Sequence, residues 1–171
     1  MKHLYVPLCL FVFLVFEGVA FELLPASIVS GKSIIVPHWI LILIVFISLF
    51  YVREKSLLSV GYALVFGFLI DIAYTGILGV YMFGYGAAIY VVYSLMKYLQ
   101  TNIYSAILHG TIAVIISDVL IGIIYEMVGL TNISIPDYLI MRLIPTVLAN
   151  LVFLIVLYPV MKNLLIKWGT D

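Results

Sequence analysis

Charge is what this sequence has least of. Only 9% of its 171 residues are Asp, Glu, Lys or Arg, and 66% are hydrophobic, where a soluble domain carries roughly 25% charged residues. At a mean hydropathy of +1.31, the apolar residues are too many to be hidden in a core. They must also coat the outside, so the surrounding medium is lipid. A basic excess is lacking too: eight Lys and Arg balance eight Asp and Glu. That excludes the positive patch nucleic acid requires. The single cysteine, Cys9, has no second cysteine to pair with and reads as a small apolar filler. No Ser–His–Asp set, His-Glu-x-x-His pair, phosphate-binding glycine loop or Cys/His cluster stands out. No catalytic residue, metal ligand or cofactor is expected, and the chain reads as a non-enzyme. With no stretch polar enough for a second domain, residues 1–171 are expected to form one integral membrane domain.

What is present is a series of apolar runs. A helix needs about 20 such residues to cross the hydrocarbon. Punctuation by Pro, Gly and charge predicts an all-α bundle of six transmembrane helices, at about 4–24, 37–52, 57–73, 80–99, 104–127 and 138–165. The second is short and the last is long enough to tilt. Lys and Arg accumulate on the cytoplasmic side of membrane proteins. With a cytoplasmic N-terminus, Lys2, Arg53, Lys55, Lys97, Lys162 and Lys167 all fall inside, and only Lys32 falls clearly outside. Both termini are therefore expected in the cytoplasm. The start of the chain, through Gly18-Val19-Ala20, loosely resembles a signal peptide. Glu17 and the apolar residues beyond it favour an intact first span.

The few ionisable side chains are unevenly placed. Glu17, Glu22, Asp71, Asp118 and Glu126 fall toward the outer side, together with Arg142 at the start of the last helix. A charge at bilayer depth costs several kcal/mol unless it is paired or hydrated. Arg142 is a natural partner for Asp71, Asp118 or Glu126, because a guanidinium stays charged and binds a carboxylate bidentately. Such a pair either closes the bundle or marks an outward cavity or a docking site. Glu22 and Glu126 lie near enough to the interface for plain solvation. His109, Ala113 and Ser117 share a helix face with Asp118 beside it; a hydrogen-bonded structural histidine is the simpler reading, a proton relay the bolder one. Asn150 is expected to bond across to a neighbour. Gly79, Gly84, Gly86, Ala87 and Ala88 thin one side of the fourth helix, as a packing face or a self-association face. Tyr85, Tyr90 and Tyr93 lie deep in the same helix, where their hydroxyls need partners or line a pocket.

The segment Gly67–Gly84 carries the most specific pattern. An apolar helix ends in Gly67-x-x-x-Asp71, a short reversal holds Tyr74-Thr75-Gly76, and Leu78-Gly79 opens a second apolar helix. A second segment, Arg142-Leu143-Ile144-Pro145-Thr146 followed by Asn150, supports it. In these motifs, and in length and span number, the chain resembles the MreD family of rod shape-determining membrane proteins, the bacillus-type members above all. The resemblance implies a scaffold that organises peptidoglycan synthesis during cell elongation. Its implied partners are a bitopic MreC-like protein, a RodA-type glycan polymerase with its penicillin-binding transpeptidase, and, less directly, an MreB-type filament. The family is also similar to the substrate-binding component of energy-coupling-factor transporters, which implies an outward pocket in the same six-helix topology. Asp71, Gly67, Gly79, Arg142, Asp118 and Asn150 are the candidates for shaping a partner surface. Two further readings stand beside this one: a vitamin-like solute-binding component, and a protein that handles a lipid-linked cell-wall precursor. Against the last, one arginine among five acids makes a poor anion site.

Overall fold

A computed structural model of the protein describes residues 4–23, 34–51 and 57–170. Lys2, Lys32, Arg53 and Lys55 lie outside the described residues, and so does the side chain of Glu22. The described residues form helices and no strand. Helix α1 is Tyr5–Leu23, and α2 is Trp39–Phe46, extended by a π turn over Ile47–Tyr51. Helix α3 is Leu58–Ile70, with a π turn over Asp71–Thr75. Helix α4 is Val80–Met96 and α5 is Ile103–Met127. A short turn at Ile135–Asp137 and a π turn over Tyr138–Leu143 lead into α6, Ile144–Thr170. The six helices follow the expected order. Leu58–Thr75, Ile103–Met127 and Ile135–Gly169 are long and apolar enough to cross a membrane, whereas Tyr5–Val19, Trp39–Tyr51 and Val80–Met96 are apolar but shorter.

The short second helix has a physical reason. Every residue from Ile40 to Phe50 is buried, and α2 packs against all five other helices. A helix that is apolar all round belongs in the interior. Helix α2 is the axis of the bundle, so protein rather than lipid surrounds it.

Around that axis, α3, α4 and α5 pack in sequence order. Gly67 allows the closest approach: a Cβ there would lie 2.7 Å from the Tyr81 carbonyl oxygen and 2.8 Å from the Met82 Cα. Gly84 faces Ile121 of α5, while Gly86 faces Leu64 of α3. The small residues of α4 thus serve two internal contacts on different sides. Packing is the role these two glycines take, on two sides of the helix rather than the one expected from the sequence. Tyr90 is corrected as well: it is 57% exposed on the outside of the bundle. Of the tyrosines expected to be deep, Tyr85 is the fully buried one.

Candidate functional site

Every helix starts with backbone N–H groups that have no partner within the helix. Lipid cannot supply one, and each unsatisfied group there costs several kcal/mol. Two of the buried acids answer this need. Asp71, fully buried, ends α3 and turns its carboxylate onto the start of α4. Oδ2 accepts from the N–H of Gly79 at 2.9 Å and of Met82 at 3.2 Å, and Oδ1 accepts from Tyr81 at 2.9 Å. The positive end of the α4 dipole favours the negative charge. The reversal between the helices needs left-handed backbone at Gly76 and Gly79, with φ of 69° and 98°, which only glycine adopts without strain. Glu17 of α1 does the same work at a distance, its Oε2 accepting from the Ile40 N–H at 2.9 Å at the start of α2.

The segment leading into α2 is held from the other side by α6. Asn150 accepts from the His38 N–H at 2.8 Å through Oδ1 and donates to the Val36 carbonyl at 2.9 Å through Nδ2. Thr146 Oγ1 accepts from the Val36 N–H at 3.1 Å. The Ile34 N–H donates to the Met141 carbonyl at 2.7 Å, beside the π turn. Asn150 does bond across to a neighbour, and its partner is extended backbone rather than another helix.

Arg142 is paired with Asp118, which settles the three-way choice. Its Nε and Nη2 donate to Asp118 Oδ1 at 3.2 and 3.1 Å. Tyr138 donates to Asp118 Oδ2 at 2.5 Å. The fourth member is His38, a residue that sequence reasoning passed over. It is fully buried, with Nε2 3.6 Å from Asp118 Oδ1 and Nδ1 2.9 Å from the Tyr85 hydroxyl. The signal that pointed to it is its place next to Pro37, directly before a wholly apolar run. His109 stays out of the cluster. Its Nδ1 bonds the Ser105 carbonyl at 2.7 Å, one helical turn back, and no relay to Asp118 forms among the described residues.

Above the cluster lies a cavity of about 720 Å³, lined by Val15, Ile70, Tyr74, Tyr81, Tyr125 and Arg142 among others. Its tyrosines come from the α3 end, α4 and α5, not from α4 alone. Tyr74 also bridges to α1, donating to the Leu14 carbonyl at 2.9 Å. A second cavity of about 320 Å³ opens between α5 and the turns before α6, and Arg142 and Thr131 line both. Among the described residues, no group of three or more His, Cys, Asp or Glu could hold a metal ion. The arrangement fixes helix ends and joins α5 to α6.

Comparison with known proteins places this geometry. The family model described as "rod shape-determining protein MreD" matches residues 1–168. The chain belongs to the MreD family. It is 27% identical over 157 residues to the rod shape-determining protein MreD of Bacillus subtilis (strain 168), a match covering 92% of this chain and 90% of that one. No solved structure matches. The expected likeness to a transporter component therefore has no support from a solved fold. In this MreD-family chain, the Gly67-x-x-x-Asp71 pattern corresponds to a close helix crossing followed by a cap on the next helix.

Proposed function

We propose that this MreD-family protein is a non-enzymatic, multi-pass scaffold of the cell-elongation machinery, with both termini in the cytoplasm. It organises peptidoglycan synthesis by holding a bitopic MreC-like protein near a RodA-type polymerase and its penicillin-binding transpeptidase. Contact with an MreB-type filament is indirect, and self-association is open to it. The observation that carries the reading is the whole-chain family match. The wiring of the buried charges supports it: Glu17 and Asp71 hold backbone N–H groups, and Asp118 holds Arg142 and Tyr138. Groups fixed in this way favour a bundle of constant shape, suited to present a surface.

Conditional depletion in the native host, followed by microscopy, tests the proposal. Rods should widen and round up, and no vitamin supplement should restore them. Crosslinking from the Asp71 and Arg142 ends of the helices should then capture the bitopic partner. The 720 Å³ cavity favours one second reading, a solute-binding component. That reading expects rods of normal width that require a nutrient.

A further inference from the structure

The smaller cavity differs from the larger one in its charges. It is a groove on the flank of the bundle, with Val119, Gly122, Ile123 and Glu126 of α5 on one wall and Tyr138 and Arg142 on the other. Gly122 forms the floor, where a Cβ would meet the Tyr138 ring at 3.2 Å. Glu126 is exposed at the end of α5, and its carboxylate makes no hydrogen bond or ion pair among the described residues. On the opposite wall, Nε and Nη2 of Arg142 are held by Asp118, while its Nη1 has no partner among the described residues. One carboxylate and one guanidinium edge thus face a single groove without pairing with each other.

We propose that this groove seats the headgroup of a zwitterionic phospholipid of the phosphoethanolamine type. Its phosphate lies at the Nη1 edge of Arg142 and its ammonium lies at Glu126. Three observations favour this occupant. The groove lies between the ends of the two longest apolar helical stretches, Ile103–Met127 and Ile135–Gly169, and the ends of spanning helices are where a headgroup layer meets a protein. Exposed Ile123, Ile135, Leu139 and Ile140 continue from it as apolar surface for the chains. The charge pattern selects a dipole over an anion, since a purely anionic headgroup at Arg142 would also face Glu126. The sequence-based objection to an anion here counted five acids against one arginine. Of these, Glu17 and Asp71 are committed to backbone N–H groups elsewhere and Asp118 to Arg142 and Tyr138, so among the described side chains Glu126 remains to complement the headgroup's amine.

The inference stands apart from the elongation proposal, because its readout is the lipid selectivity of the purified protein. Full-length protein in mild detergent is titrated with short-chain phosphatidylethanolamine, phosphatidylglycerol, soluble phosphoethanolamine and inorganic phosphate, with binding followed by native mass spectrometry. Phosphatidylethanolamine should bind most tightly, and Glu126→Gln should weaken it about fivefold while strengthening phosphatidylglycerol, which no longer faces a like charge. Gly122→Ala, which pushes Tyr138 into the groove, should weaken both lipids. A wild-type preference for phosphatidylglycerol overturns the proposal, as does a Glu126→Gln protein with unaltered selectivity. Soluble phosphoethanolamine or phosphate binding as tightly as the lipid would make this a site for a water-borne ligand and overturn the lipid assignment.

Discussion

The α3–α4 hairpin and the crossing of α2 with α6 solve one problem in two ways. In both, the start of a helix sits inside the bundle and its backbone N–H groups need acceptors. At the hairpin, the acceptor comes from the preceding helix: Asp71 reaches residues eight to eleven positions ahead. At the crossing, it comes from afar: Asn150 and Thr146 reach back across 112 and 110 positions, and Glu17 reaches forward across 23. The hairpin is an autonomous local device, while the crossing exists only when the whole chain has assembled. The first therefore shapes a motif and the second shapes a tertiary lock.

The largest expected effect breaks the local device. Asp71→Ala strands the N–H groups of Gly79, Tyr81 and Met82 and should destabilise the protein by about 3–5 kcal/mol. Unfolding in mixed micelles of rising SDS content measures the loss. A variant as stable as the parent would mean that water, not Asp71, satisfies these groups.

Asn150→Ala is the matching test of the tertiary lock. It frees the His38 N–H and the Val36 carbonyl, and the expected cost is about 2–3 kcal/mol. Trp39 reports it directly, since its indole stacks on Phe153 of α6 at 4.8 Å. Its fluorescence should change before the rest of the bundle unfolds, whereas Asp71→Ala should leave that early step unaltered. Gly67→Ala ranks third, at about 2 kcal/mol. The added methyl meets backbone atoms of Tyr81 and Met82, which cannot rotate aside. If Gly67→Ser proves as stable as Gly67→Ala, the crossing is looser than its 2.7 Å approach implies.

The contrast also explains what the sequence disclosed. Six apolar runs are visible one at a time, because each must match a bilayer or a core. The hairpin is visible because Gly67, Asp71, Gly76 and Gly79 stand within 13 consecutive residues. Arg142 and its possible acids were visible as types, but their pairing was not, since Asp118 and Asp71 are equally good partners by chemistry. His38 escaped notice, and Glu17 was visible without its role, because both roles depend on α2 lying at the axis. Nothing in an apolar run of ordinary composition distinguishes the central helix from a lipid-facing one. Its short length was the available clue.

Tyr85 offers the finest test, because its hydrogen bond ties the two regions together. The tyrosine belongs to α4, whose start Asp71 caps, and it meets Nδ1 of His38, whose N–H Asn150 holds. Tyr85→Phe removes the hydroxyl and keeps the ring, which lies 5.7 Å from the His38 ring and 5.5 Å from that of Tyr81. Packing is retained and one buried bond is lost, so the expected cost is about 1 kcal/mol. The same change made beside His38→Leu should cost nothing more, giving a coupling energy of about 1 kcal/mol in a double-mutant cycle. A coupling near zero would mean that hairpin and lock communicate through apolar packing alone. Full coupling would make His38 the joint through which a disturbance at the Asp71 end reaches Asp118 and Arg142.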